Sequence, residues 1–418
     1  MSKKIFYRLC AVLTAAVLFL QGCGFSAKAY PSVREISERS SAAGFLASLV
    51  EKSEGFISSD GKSDEAYLYD NAITLYALSE AGAAAHAEIL ADAIVYAQNH
   101  DRAFHDGRLR NVYLGGDPAA AAGRSVGGIN GAVPLPGFWQ NGKWLEDCYA
   151  VSSSAGNISW TVIALLKASE VVSEEKKAEY IAAADKAGEF LLGLSSESGG
   201  FTAGFEGWDD VQEKAGYKST EHNLALMAAF SALSDIMKTD NPQKSAEYEA
   251  ASESARKFIF SMYDRELSCF YTGTTEDGLT VNKSVLPLDT NALSVLAFGE
   301  KLEDADKVLT FIKRSMSVGA GFDFSAGDLD GVWNEGTAQM ALCCHMKGMN
   351  EEYSAMMGYL KTQEYKDGGI PAADRDGVST GFFLSGTAEL WEYYNTLSIG
   401  ATGWYALAQL KANPLAVN

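Results

Sequence analysis

The chain has 418 residues, of which 47% are hydrophobic, and a formal net charge of −20 at pH 7. A chain of this length can bury a large core, and its acidic excess repels nucleic acid and anionic membrane surfaces. These properties exclude a nucleic-acid-binding role and favour neutral or cationic partners.

The N-terminus has the pattern of a signal peptide. Three basic residues (Lys3, Lys4 and Arg8) precede an apolar run, Leu9–Leu20. A run of this length is too short to span a bilayer and suits the core of a signal peptide. We therefore predict a signal peptide over residues 1–22 and an extracytoplasmic protein. Removal of the three basic residues takes the net charge from −20 to −23.

Two processing patterns follow the apolar run. The segment Leu20–Cys23 is similar to the lipobox of bacterial lipoproteins, and Ala27–Ala29 is similar to an ordinary small-x-small cleavage site. We favour Cys23 as the lipidated first mature residue, because it directly follows the apolar run. Residues 23–35 then form a tether, and the membrane is contacted by the lipid anchor only. Secretion or periplasmic release after cleavage near Ala29 is the alternative.

Besides the proposed anchor Cys23, four cysteines lie in the predicted mature chain: Cys148, Cys269, Cys343 and Cys344. They show no CxxC spacing, so neither a zinc site nor a disulfide framework is indicated. We expect no metal and no cofactor. A Cys148–Cys269 disulfide is left open by the sequence.

An irregular unit recurs six times along the rest of the chain. Each unit has an amphipathic helix, a turn that in most copies combines glycine with an aromatic residue, and an Ala-rich apolar helix that opens with polar residues. The predicted amphipathic helices are Val33–Lys52, His86–Gln98, Glu174–Leu194, Ser245–Tyr263, Glu303–Ser315 and Glu351–Gln363. The openings of the apolar helices are Tyr69–Asn71, Asn157–Trp160, Thr220–Asn223, Leu288–Asn291, Trp333–Thr337 and Ser398–Thr402.

The two helix types differ in how they can be buried. Glu174–Leu194 spaces apolar residues three or four positions apart, as at Ala184, Ala187 and Leu191, which gives one buried stripe. Residues 224–233 are apolar almost all round, which suits an interior helix. Six outer and six inner helices predict an all-α (α/α)6 toroid as a single domain over residues 36–414. The repeat length varies too much for a simple solenoid, and an open array of hairpins is the alternative.

The alternation of the helices predicts where function collects. All inner helices run in the same direction, so their N-termini meet at one mouth of the ring. The long connections 113–155, 205–220 and 372–397 arrive at the same mouth as irregular or β excursions, and long loops on a rigid scaffold commonly carry function. They carry Trp139, Trp144, Asp147, Trp208, Glu389 and Trp391.

Acidic residues at the starts of the inner helices are the candidate catalytic groups. We take Glu221 and Glu335 as the first pair, with Asp289 and Asp70 as further candidates, although Asp is a preferred N-cap and we predict capping as their first role. A helix dipole lowers the pKa of an acid at the N-terminus, which favours base over acid duty and makes Glu389 an alternative general acid. Carboxylates among aromatic rings suit sugar chemistry. The expected sugar-binding set comprises His222, Asn223, Asn291, Trp333 and the six loop residues above.

Three segments carry a resemblance to a known group. Thr220–Asn223, Trp333–Gln339 and Ala401–Tyr405, the last with Asn413-Pro414, are similar to exported bacterial proteins of the six-hairpin (α/α)6 glycosidase superfamily. The resemblance covers about the whole mature chain and implies the toroid fold. It assigns no catalytic carboxylate, because no matched motif identifies one.

The expected function is that of a monomeric glycoside hydrolase acting on a neutral poly- or oligosaccharide. A polysaccharide lyase or a sugar epimerase on the same fold is the first alternative, in which His222 would act as a base. Four basic residues keep a lyase acting on uronates open: Arg108, Arg110, Arg124 and Lys143. The second alternative is a non-catalytic glycan-binding lipoprotein of a polysaccharide synthesis or export system.

Overall fold

A computed structural model of the protein describes residues 30–121, 132–384 and 387–416. The predicted signal peptide, the lipidation site Cys23, the alternative cleavage site and Arg124 lie outside the described residues, so those expectations stay predictions. Within the described part, no helix combines the length and apolar character that a bilayer span requires.

Twelve elements alternate between an outer and an inner layer. The outer elements are Val33–Arg39 with Ser41–Ser53, Ala84–Asn99, Glu174–Leu192, Pro242–Ser261, Ala305–Met316 and Asn350–Gln363. The inner helices, numbered first to sixth below, are Leu68–Glu80, Ala155–Ser169, Thr220–Met237, Leu288–Phe298, Asn334–Met346 and Ile399–Leu410. The order agrees with the six predicted pairs, and most ends fall within a few residues of their expected positions.

The inner helices form a closed ring. Each packs against the next along the chain, and the sixth packs against the first, which confirms the (α/α)6 toroid. Burial explains the two layers: the second inner helix is buried along almost its whole length, whereas Glu174–Leu192 buries one side only. Closure matters for function because it brings residues from both ends of the chain to one place.

The first outer element differs from its prediction. A single helix Val33–Lys52 was expected, but two helices meet at Ser40, whose backbone is extended with φ −151° and ψ 119°. The Ser40 hydroxyl accepts a hydrogen bond from the Ala43 N–H and donates one to Gln409 in the sixth inner helix. The break therefore ends one helix, caps the next and ties this element across the ring closure.

All the described strands lie in the outer-to-inner connections, as expected. Most form two-stranded antiparallel pairs: Glu65–Tyr67 with Val112–Leu114, Phe138–Gln140 with Lys143–Leu145, Tyr263–Asp264 with Cys269–Phe270, Gly273–Thr274 with Val281–Asn282, Ser317–Val318 with Gly321–Phe322, and Val378–Phe383 with Leu390–Tyr393. Ser153–Ser154, Gly204–Glu206 and Glu213–Lys214 form a three-stranded sheet. Short helices Pro118–Ala121 and Cys148–Val151 and the 3-10 turn Gly299–Lys301 complete the described elements. The four described cysteines are free thiols, which answers the open question of a Cys148–Cys269 disulfide.

A buried amide at the fourth position of an inner helix fastens the preceding turn. Asn223 accepts a hydrogen bond from the Phe201 N–H and donates to the carbonyls of Phe201 and Ser219. Asn291 makes the same three bonds with Phe270 and Pro287. Both side chains are fully buried, so the prediction that they bind sugar is wrong.

The same position is used in three further inner helices. Asn71 bonds to the backbone of Ile57 and Tyr67 in the first, and the hydroxyls of Thr337 and Thr402 serve the fifth and sixth. These bonds satisfy backbone groups that would otherwise be buried without partners. They hold the mouth of the ring in a fixed shape.

Candidate active site

The second residue of each inner helix defines the mouth. In the third, fourth and fifth helices it is an acid, namely Glu221, Asp289 and Glu335, and in the first it is Tyr69, followed by Asp70. In the second and sixth it is glycine. The negative charges of Asp70, Asp289 and Glu221 all raise the pKa of Glu335, so ring closure brings the four predicted carboxylates into one cluster.

Asp70 and Asp289 do not cap their helices, so the predicted capping role is wrong. The N-cap residues are Tyr67 and Pro287, and neither helix start has a side-chain cap bond. The Asp289 carboxylate accepts a hydrogen bond from the Thr290 N–H. Both acids are therefore available to the cluster.

Burial controls the protonation of the four acids. It is the largest cause in each case and raises the pKa of Glu221 to about 6, of Asp70 and Asp289 to about 7, and of Glu335 to about 8. The expectation of lowered pKa values at these helix starts is wrong, because loss of hydration on burial raises them. Glu389, the alternative acid, is exposed near the end of the last hairpin.

Hydrogen-bond direction locates the proton on Glu335. The Trp404 indole N–H can only donate, and it donates to the Tyr69 hydroxyl over 2.8 Å. The Tyr69 hydroxyl must then donate its own hydrogen bond to Glu335 Oε1, 2.7 Å away. A proton on neutral Glu335 consequently resides on Oε2, the oxygen near Gly400 and Asp70.

Glu221 has a different environment. The Trp160 indole N–H donates to its Oε1 over 3.1 Å, and a donor of this kind favours the charged carboxylate. Trp160 packs edge-on against both Tyr69 and Trp404, with ring centroids 5.9 and 5.7 Å apart. The buried rings of Trp160 and Trp404 pack together with Tyr69 at the base of the site. The Trp160 N–H donates directly to Glu221, and the Trp404 N–H acts on Glu335 through the Tyr69 hydroxyl.

The two glycines of the mouth make room for functional side chains. A Cβ on Gly400 would lie 2.5 Å from Asp70 Oδ1 and 3.3 Å from Glu335 Oε2, so these two acids are neighbours. A Cβ on Gly156 would lie 2.4 Å from the His222 ring. His222 Nε2 is 3.6 Å from Glu221 Oε2, and burial lowers the pKa of this histidine to about 4.

Replacing Gly400 with Ala should displace Asp70 and disturb Glu335. Because a misplacement of about 1 Å can cost 10²-fold in rate, we expect kcat/KM to fall by roughly 10- to 100-fold. Gly358→Ala is the matched control, since a Cβ there would meet nothing within 4 Å in an outer helix. It should keep full activity and gain up to about 1 kcal/mol of stability. Equal activity of the two variants would refute the packing argument.

On one side of the carboxylate cluster lies an aromatic wall, formed by Tyr393, Trp333 and Phe324. The Tyr393 ring stacks on Trp333, with centroids 5.6 Å apart and planes 19° apart, and Phe324 packs against both. The charges of Glu335, Asp289 and Asp70 raise the pKa of Tyr393, which places it beside the acids. Trp333 is buried behind Tyr393, so its predicted role in sugar binding becomes that of supporting Tyr393.

The connection between the outer helix Ala84–Asn99 and the second inner helix carries Tyr149, Trp139 and Trp144. The charges of Asp70 and Glu221 raise the pKa of Tyr149, whose hydroxyl accepts a hydrogen bond from Asn157. Asp147 caps the short helix Cys148–Val151 through the Ala150 N–H. Trp139 and Trp144 pack edge-on, and Trp144 and Trp208 donate to Glu146. Trp139 and Trp208 are exposed, and sugar contact by Trp139, Trp144, Asp147 or Trp208 stays a prediction.

The basic residues that favoured a uronate lyase are engaged elsewhere. Arg110 is fully buried and donates to Asp101, Asp209 and the Val151 carbonyl. Arg108 pairs with Asp106 and stacks on aromatic rings. Neither guanidinium is available to a substrate, so the described arginines do not support a uronate site. Lys143 is exposed and makes no described contact with the carboxylate cluster, and Arg124 lies outside the described residues.

Sequence reasoning missed several residues of this site. Tyr69 and Gly400 were not proposed as site residues, although Tyr69 directly precedes a candidate acid, and Tyr149 and Tyr393 were noted only as aromatic residues of the long connections. Gly400 had one detectable signal, since glycine at the second position of a helix is unfavourable unless space is needed.

Comparison with known proteins defines the class of the fold. The sequence matches no protein-family model and no curated protein. Solved structures resemble it at low identity. A glycosidase variant in complex with glucose has a TM-score of 0.59 at 13% identity, covering 90% of this chain and 98% of that one. An alpha-amylase from Clostridium perfringens has a TM-score of 0.58 at 14% identity, covering 88% and 97%.

A cellobiose 2-epimerase from Bacillus thermoamylovorans has a TM-score of 0.60 at 10% identity and covers 90% of this chain and 97% of that one. These neighbours are members of the six-hairpin glycosidase superfamily, which confirms the resemblance at the level of fold. The chain is therefore an (α/α)6 toroid with a partly buried carboxylate cluster at its mouth, similar in fold to both glycosidases and sugar epimerases.

Proposed function

We propose that the protein is a carbohydrate-active enzyme that hydrolyses glycosidic bonds, with Glu335 as general acid and Glu221 as the ionised partner. The observation that carries the proposal is a pair of glutamates, Glu335 buried and Glu221 half-buried, whose environments separate their pKa values, about 8 for Glu335 and about 6 for Glu221. Such separation distinguishes an acid from a base in one site. The toroid fold of the neighbouring glycosidases supports it.

In this proposal each glutamate has its own task. Neutral Glu335 presents the proton on Oε2 for the glycosidic oxygen, while Tyr69 holds Oε1. Glu221 remains ionised with help from Trp160 and either activates water or attacks the sugar. Asp70 and Asp289 are placed to bind hydroxyl groups, and Tyr393 offers a ring for the C–H face of the sugar.

The charge of the site supports a neutral substrate. In the described chain, no lysine or arginine is among the charged groups that shift the pKa values of the four acids. An anionic sugar would enter a cluster that carries negative charge and provides no described counter-ion. A neutral oligosaccharide meets no such penalty.

The test is product analysis on a panel of neutral and uronate-containing oligosaccharides. New reducing ends would support hydrolysis. Absorbance from unsaturated uronates would instead show a lyase. Binding without any product would favour the glycan-binding alternative and overturn the enzyme proposal.

The pH dependence of the activity follows from the two pKa values. Glu221 must lose its proton, so activity should rise through about pH 6, and Glu335 must keep its proton, so activity should fall above about pH 8. A bell-shaped profile of kcat/KM between these limits is the expected result. A profile that keeps rising beyond pH 9 would contradict the role of Glu335 as acid.

Epimerisation is a second candidate, supported by His222. Its pKa of about 4 leaves the ring neutral at pH 7, and its Nδ1 is buried without a hydrogen-bond partner in the described chain, so it can accept a proton. Deuterium from heavy water would enter the sugar during epimerisation, with no new reducing end. Hydrolysis gives the opposite pattern.

A further inference from the structure

The last hairpin continues the aromatic wall outward. Trp391 and Tyr393 are two residues apart on the strand Leu390–Tyr393 and therefore share one face of it. Their ring centroids are 5.8 Å apart, a spacing comparable with one pyranose unit of a sugar chain. Trp333, Tyr393 and Trp391 thus form a series that begins behind the carboxylates and ends in solvent.

We propose that Trp391 is the platform of an outer sugar subsite, so that the substrate is an oligosaccharide longer than a disaccharide. This inference rests on the proposed function, because it takes the carboxylate cluster as the point of bond cleavage. Tyr393 then contacts the sugar ring at the cluster, and Trp391 contacts a ring farther along the chain. The indole is 45% exposed, which leaves a face for stacking.

The platform is held in place before a ligand arrives. The Thr380 hydroxyl donates to the Trp391 carbonyl over 2.9 Å, and the Ser379 N–H donates to Asp330 over 3.1 Å. Val378 is fully buried at the base of the same hairpin. A fixed platform lowers the ordering cost of binding, which favours a recognition role for the exposed indole.

Continuity with the carboxylates favours a glycan over other occupants. The series of rings starts at Tyr393, which stacks on Trp333, two residues before Glu335 in the sequence. Glu392, between the two rings on the strand, points to the opposite face, where its carboxylate accepts a hydrogen bond from the Tyr394 hydroxyl. Its charge disfavours an anionic lipid surface. A glycan offers C–H faces to the rings.

The test measures binding by the Glu335→Gln protein, in which the proposed acid is absent. The probes are mono- to hexasaccharides of the α-1,4- and β-1,4-gluco, manno, xylo and galacto series. We expect affinity in at least one series to increase about three- to tenfold from monosaccharide to trisaccharide, and Trp391→Ala to remove that increase. Trp391→Phe should keep most of it. Phe383→Ala, which removes a 64% exposed ring from the opposite strand, should keep all of it.

Three results would overturn the subsite: no length-dependent affinity in any series, an increase that survives Trp391→Ala, or an equal loss of affinity for monosaccharides. The proposed hydrolysis is judged separately, from product formation by the unsubstituted protein on the same probes. Length-dependent binding that needs Trp391, without any product, would reject the hydrolase and retain the subsite.

Discussion

Replacing Glu335 with Gln should lower kcat by about 10²- to 10⁴-fold, the usual contribution of a general acid. The amide can still accept the Tyr69 hydroxyl proton on its oxygen, so the local packing is kept. It cannot deliver a proton from the other position to a glycosidic oxygen. The variant should therefore fold normally and bind substrate while losing turnover, as measured by kcat and by binding affinity.

Glu389→Gln is the matched control for this prediction. Glu389 was the alternative acid from the sequence, yet it is exposed and its backbone N–H is bound by Thr387 in the hairpin. Its substitution should leave kcat unchanged. Full activity of Glu335→Gln combined with an inactive Glu389→Gln would move the acid from the inner helices to the loop.

The ring architecture was predictable because it depends on local chemistry. Helices that are apolar on one side alternate with helices that are apolar all round. Short segments such as Glu174–Leu194 and residues 224–233 are enough to tell the two types apart. The uniform direction of the inner helices then places their polar starts at one mouth. For the same reason Asp70, Glu221, Asp289 and Glu335 could be named before the structure was known.

The contacts that define the chemistry were not predictable, because ring closure joins distant residues. Tyr69 is 266 residues from Glu335 and 335 residues from Trp404, yet the three form one hydrogen-bonded chain. No local pattern encodes such a triad. The prediction that Asn223 and Asn291 bind sugar had a different source of error. Each lies close to a candidate acid in the sequence and so resembles a sugar ligand, but in the fold its side chain bonds to the backbone.

Replacing Arg110 with Met should lower the free energy of unfolding by about 3–5 kcal/mol, the usual effect of breaking a buried ion pair on one side. Arg110 is fully buried and is bound by Asp101, Asp209 and the Val151 carbonyl. Methionine can keep an apolar contact with Phe104, over which the guanidinium lies at 4.6 Å. Asp101 would remain buried without its partner, and chemical denaturation should show the loss.

The pH dependence of this loss identifies its cause. Arg110 holds the pKa of Asp101 below its usual value, so in the native protein this pair adds stability above about pH 4 that disappears as the pH falls. In the variant, burial without Arg110 should raise the pKa of Asp101, and protonation then relieves the cost. The difference in unfolding free energy between the two proteins should therefore shrink between pH 7 and pH 4.

Arg256→Met provides the comparison, because Arg256 and Glu253 form an ion pair whose side chains are 46% and 40% exposed. An exposed pair contributes less than about 1 kcal/mol, so this variant should unfold almost like the native protein. A loss for Arg110→Met that stays constant with pH would mean that packing rather than charge was removed. Arg110 lies in the connection before the second inner helix and binds Asp209 in the connection before the third. A pH-dependent loss would therefore show that buried charge holds these two connections together.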